Sequence, residues 1–156
     1  MNEMERNMAV PDLDDIPDAE ESVYANSDSG MQIRKKLTQE MIQACYQCGV
    51  RLFGHPSDSF NQAIDEIVAR TDMNRNSAVM YVYVVKNMLG GEVYKRAISE
   101  VATKSFFDNI YRDFGKDGLK KALCAARAHI DYRHQCGHIV DGLIALCTEY
   151  AAKYSL

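Results

Sequence analysis

Residues 71–99 read "TDMNRNSAVMYVYVVKNMLGGEVYKRAIS", and the fold turns on whether residues 81–85 inside that stretch form a buried strand or part of a helix. The run "YVYVV" is β-branched and aromatic, the composition strands favour. It shows no clean apolar–polar alternation, however, and the wider window repeats differently. Ala78, Tyr81, Val82, Val85, Met88 and Leu89 recur at steps of three and four, which stacks side chains on one helical face. That period predicts a helix, closed by Gly90 and Gly91.

The same rhythm extends both ways. From Thr38, residues Met41, Ile42, Cys45, Cys48 and Leu52 share a face until Gly54 and Pro56 stop the helix. Ser57 or Asp58 is the expected cap of a second helix, with Phe60, Ala63, Ile64, Ile67 and Val68 as its stripe and Asn61, Asp65 and Glu66 facing away. Beyond the opening stretch, Ser99 precedes Val101, Ala102, Phe106, Ile110 and Phe114 up to Gly115. Leu119, Ala122, Leu123, Ala126 and Ile130 mark another helix ending near Gly137, and Val140, Leu143, Ile144 and Cys147 the last. The expectation is an all-α compact bundle of about six helices over residues 31–156, a length and apolar content (47%) sufficient for one core.

Residues 1–30 are different in kind. Nine acids against the single base Arg6 give this segment a net −8, so that the formal −4 of the chain leaves +4 for the remainder. With two prolines and few large apolar groups, it is read as a disordered acidic tail. Such a tail on a mildly basic body is compatible with a nucleic-acid binder whose tail tempers non-specific contacts. No apolar run approaches membrane-spanning length and no signal-peptide layout opens the chain, so no membrane partner and a cytoplasmic location are expected. The five cysteines are an odd count and are read as reduced thiols.

A functional reading rests on the second and third helices. DNA-reading pairs need a supporting helix, a short turn and a second helix whose first residues enter the major groove. Here "SFNQAIDEIVAR" is the support, "TDMN" the turn, and Asn74 or Asn76 the cap of the reader. Ile67, Thr71, Met73, Ala78 and Tyr81 fall where the pair should pack. That places Asn74, Arg75, Asn76, Met80, Tyr83 and Lys86 on or near the outward side, with Lys95 and Arg96 as further phosphate contacts. Arg can read guanine and Asn adenine in bidentate fashion, and Lys neutralises phosphate. The turn position that usually favours glycine is Asp72, which tolerates left-handed geometry but puts negative charge near DNA phosphates.

Residues 63–132 carry, in order, "TDMN", serine-alanine, an aromatic-rich helix, "YKRAIS", "FFDNI", "GKDGLKKAL" and "HIDY". This succession resembles a helical domain at the N-terminus of some bacterial proteins that carry an HNH nuclease or another modification-dependent restriction module. The resemblance implies a DNA-facing recognition domain from a restriction or phage-defence system, with double-stranded DNA as partner and a nuclease subunit or another protein acting in trans. Asp72 stands where that pattern has glycine, and residues 1–30 are not part of it. No nuclease domain follows Leu156, so the expectation is recognition without a nuclease centre.

Two other readings compete with this one. "CYQCG" (residues 45–49) and "HQCGH" (residues 134–138) could unite Cys45, Cys48, Cys136 and His138 or His134 around a structural zinc ion. Against this, Cys45 and Cys48 already belong to an apolar face and the spacing fits no familiar finger, so no metal and no cofactor are expected. The second is a helical protein–protein interaction module using Val79, Met80 and Tyr83 as a partner surface. Enzymatic constellations are absent: His129 and Asp131 diverge on a helix, His134 and His138 lack the glutamate of a zinc protease, "LGGE" is no phosphate loop, and Gly115 separates Asp113 from Asp117. A non-enzymatic role with no catalytic residue is expected.

Overall fold

The structure, a computed structural model, describes residues 36–156. The acidic segment of residues 1–30 lies outside the described residues. Five helices follow in order: α1 (Gln39–Gly54), α2 (Phe60–Thr71), α3 (Arg75–Gly90), α4 (Glu100–Gln135) and α5 (Asp141–Tyr154). No strand occurs among the described residues, and no helix there is long and apolar enough to cross a membrane.

Most helices start on a side-chain oxygen that accepts from a backbone N–H left without an intrahelical partner. Thr38 accepts from Met41, Ser59 from Gln62, Asn74 from Ser77 and Ser99 from Ala102, each at 3.1 Å. The cap of α2 is therefore Ser59, correcting the expected Ser57 or Asp58. Those two residues sit in the turn after His55, whose carbonyl accepts from the Asp58 N–H.

Residues 81–85 are helical, and their lack of alternation has a plain cause. Every residue from 77 to 85 is buried, so α3 is covered on all sides and has no solvent face to mark with polar residues. On one side α1 runs parallel to it. Gly49 lets the two backbones close, since a Cβ there would come within 2.5 Å of Val85 Cγ1, and one turn on Phe53 meets Gly90. Tyr46 of α1 and Tyr81 of α3 both pack on Phe106 of α4, at ring-centroid separations of 6.4 and 6.3 Å.

The helix α4 spans 36 residues but leaves helical geometry at Gly115 (φ 72°, ψ −161°). A straight helix would separate Glu100 from Arg133 by roughly 50 Å. Instead both line one cavity of about 200 Å³, so the two arms fold back on each other around Gly115. The helices expected before and after that glycine are these two arms. Alongside the first arm lies α5, with Phe107 against Tyr150 (5.3 Å) and Tyr111 stacked on Tyr154 (3.9 Å). Val101 (60% exposed), Phe114 and Ile144 keep the helical period but face outward, which corrects their assignment to an apolar stripe.

Candidate nucleic-acid interface

The corner between α2 and α3 is built by three residues. Asp72 takes the left-handed conformation (φ 61°, ψ 27°) and its N–H closes on the Val68 carbonyl, ending α2. A short polar side chain tolerates this geometry, which is why aspartate can stand where glycine is usual. Met73 then plugs the corner from beneath and is buried, and Asn74 caps α3. Ile67, Ala78 and Tyr81 are buried at the helix crossing and Thr71 is half-buried, as the sequence pattern expects.

Three of the expected contact residues, Asn74, Arg75 and Asn76, project from this corner and are exposed. The Asn74 amide oxygen is occupied by the Ser77 N–H. Arg75 reaches back across the corner to α2: Nη1 pairs with Asp65, and Nη2 donates to Asn61 Oδ1 at 3.2 Å. The first turn of α3 contains no acid, so Asp65 supplies from the neighbouring helix the negative charge that α3 lacks at its positive end. Sequence reasoning placed Asn61 and Asp65 on the outer face of α2 without seeing this clasp. Their spacing of four, which puts both on one face, was the available signal.

Met80 (1% exposed) and Tyr83 (8%) are buried, correcting the expectation that they face outward. From residue 77 onward α3 is enclosed by α1, α2 and α4, and the period of α3 could not tell a two-sided helix from an enclosed one. Val79 is buried too, so the partner surface made of Val79, Met80 and Tyr83 does not exist on this fold. Lys86 is half-buried, its Nζ lying 5.7 Å from the Phe60 ring centre and 5.6 Å from that of Tyr83. Burial lowers its pKa, with Cys48 opposing.

Lys95 is exposed with its ammonium over Tyr132 (5.7 Å), and Arg96 is half-buried. Both follow the C-terminal end of α3, a helix of 16 residues and hence about 24 Å long. The structure therefore does not unite them with residues 74–76. Their neighbourhood explains two of the motif pieces as packing: Tyr94 of "YKRAIS" stacks on His129 of "HIDY" (4.4 Å, 16°), and the Tyr94 carbonyl accepts from His129 Nδ1. A carbonyl can only accept, so that ring nitrogen carries the proton.

The cysteine and histidine clusters are structural in the same sense. Cys45 is fully buried with its thiol on Met73 Sδ (3.6 Å), and burial raises its pKa strongly, while that of Cys48 is pushed up to about 11. Zinc needs thiolates, which this environment disfavours. "HQCGH" is the C-terminal cap of α4: Gly137 is left-handed (φ 84°), its N–H reaches the His134 carbonyl, and the His138 N–H reaches that of Arg133 (both 2.9 Å). No group of three or more His, Cys, Asp or Glu side chains among the described residues could hold a metal ion. No family model matches the chain, nor does any curated protein or solved structure.

Proposed function

We propose that this chain is a DNA-binding module whose contact is the helix-turn-helix-like corner between α2 and α3. The observation that carries the reading is the projection of Arg75 and Asn76 from the first turn of α3, at the positive end of a helix held rigidly by burial on every other side. A helix N-terminus attracts phosphate, and Arg and Asn are the side chains best suited to guanine and adenine edges. Because residues 77–85 are enclosed, the contact is end-on and short rather than a helix lying along the groove. Such a footprint fits an accessory module, working beside a nuclease or another protein of a restriction or phage-defence system.

Releasing Arg75 from Asp65 is no obstacle. Their side chains are 44% and 67% exposed, and an exposed pair contributes about 0–1 kcal/mol. A bidentate base contact offers about 1–3 kcal/mol. Lys95 and Arg96 make no contact in this arrangement unless the duplex reaches the far end of α3.

A mobility-shift series on plain and base-modified duplexes, at rising salt, tests the reading. DNA binding weakens linearly in the logarithm of salt concentration, with a shallow slope because few phosphates are touched. Absence of binding to every duplex at low salt rejects it.

A further inference from the structure

The cavity of about 200 Å³ between the two arms of α4 and the start of α5 carries polar groups that the fold leaves uncompensated. Glu100 and Asp141 are exposed and stand at its mouth, and neither enters an ion pair among the described residues. Glu100 is seated over the first turn of α5: a Cβ on residue 142 would collide with its carboxylate, so Gly142 makes that seat. Val140 offers α5 no side-chain cap, and the positive end of the helix attracts the carboxylate. Further in, Arg133 is half-buried and Tyr94 is buried, with 2% exposure. Tyr94 is fixed by stacking on His129 and by its carbonyl, which accepts from His129 Nδ1. Its hydroxyl is nevertheless buried with no hydrogen-bond partner, an arrangement that is costly unless something polar reaches it.

We propose that this cavity binds a small zwitterion of the free α-amino acid class, carboxylate inward and ammonium outward. Each end of such a ligand meets its complement. The ligand carboxylate accepts from the Arg133 guanidinium and the Tyr94 hydroxyl, and the ammonium donates to the Glu100 and Asp141 carboxylates. A plain amine would leave the inner donors without an acceptor, and a plain carboxylate would have to pass two acids at the mouth. The volume admits an amino acid of modest size, and the Tyr94–His129 stack makes its wall before any ligand arrives. The inference does not depend on DNA binding, because no residue of the α2–α3 corner lines the cavity.

Titration of the isotope-labelled full chain with L-serine, L-valine, propionate and propylamine, followed through the amide signals of Thr103 and Gly142, tests the inference. The expected result is saturable shifts of both amides by at least one of the two amino acids, with an affinity several-fold above that for either singly charged analogue. Glu100→Gln and Tyr94→Phe should each lower that affinity several-fold. Tyr94→Phe should leave the urea midpoint of the free protein unchanged or raised, because an unpartnered hydroxyl contributes no hydrogen bond to the fold. No saturable shift from either amino acid, or binding no tighter than that of propionate or propylamine, overturns the proposal. An affinity untouched by Glu100→Gln or by Tyr94→Phe overturns it as well, as does a lowered midpoint in Tyr94→Phe, since the hydroxyl would then serve the fold.

Discussion

Asp65→Ala is the most informative single change, because it separates what Arg75 does for the fold from what it does for DNA. In the free protein Arg75 is clasped by Asp65 and Asn61, and both partners of the ion pair are well exposed. Breaking such a pair changes stability by no more than about 1 kcal/mol after solvent screening. Its effect on DNA affinity has the opposite sign from most substitutions at an interface. The guanidinium no longer has to leave a partner, and a carboxylate is removed from beside the phosphates, so affinity should rise by up to about 1 kcal/mol, or roughly fivefold. Arg75→Ala should weaken binding by about 1–3 kcal/mol and relax the preference at one base pair. In an Arg75→Ala background Asp65→Ala should lose most of its benefit, since only the general repulsion remains to be relieved. Fluorescence anisotropy with a labelled duplex at two salt concentrations, beside urea unfolding of the same variants, reads all of these. Weaker binding by Asp65→Ala with unchanged stability would refute the corner as the contact, as would an unaltered affinity in Arg75→Ala.

Three further outcomes follow from the packing. Gly115→Ala should destabilise by about 1–3 kcal/mol, because φ 72°, ψ −161° is open essentially to glycine alone although nothing crowds the position, whereas Gly54→Ala, also uncrowded, should be neutral or mildly stabilising in urea unfolding. Gly49→Ala gains about 1 kcal/mol of helix propensity but forces a methyl into Val85, so a net loss of about 1–2 kcal/mol is expected, and Val85→Ala should not restore it because Val85 Cβ itself would lie 2.6 Å from the new atom. Asp113 is held below the usual carboxylate range by the Arg112 fork and, secondarily, by the Tyr46 hydroxyl at 2.8 Å. A depressed carboxylate stabilises the fold above its unfolded value near 3.9 and ceases to as pH falls through the folded value. The gap between wild type and Asp113→Asn in denaturant midpoint should therefore be flat from about pH 5 to 8 and close in acid; Tyr46→Phe should cost about 1 kcal/mol at pH 7, discounted because Asp113 is largely solvated.

Local chemistry made a good part of this protein legible without coordinates. Ser99 caps where its hydroxyl predicted, Asn74 is the one of the two asparagines offered that caps α3, and Gly90-Gly91, Gly115 and the region of Gly137 all interrupt the helical path as read. These are decisions taken within a few residues, between a backbone N–H or a φ angle and the side chain beside it. Apolar periodicity likewise located the helices, including the run that looked like a strand. What it could not supply was the number of neighbours each helix would acquire. Met80 and Tyr83 were expected to face outward because a helix with one buried stripe would leave them there; α3 instead has α1, α2 and α4 around it, and the same residues are core. In the opposite direction, Val101, Phe114 and Ile144 keep the period of a buried stripe and are exposed, since no element among the described residues covers them. Arg75 was placed correctly at the exposed start of α3, yet its clasp to Asp65 depends on how α2 crosses it. Propensity, caps and period are properties of a segment, whereas which faces are covered is a property of the assembled bundle, where each helix gains or loses solvent according to elements tens of residues away.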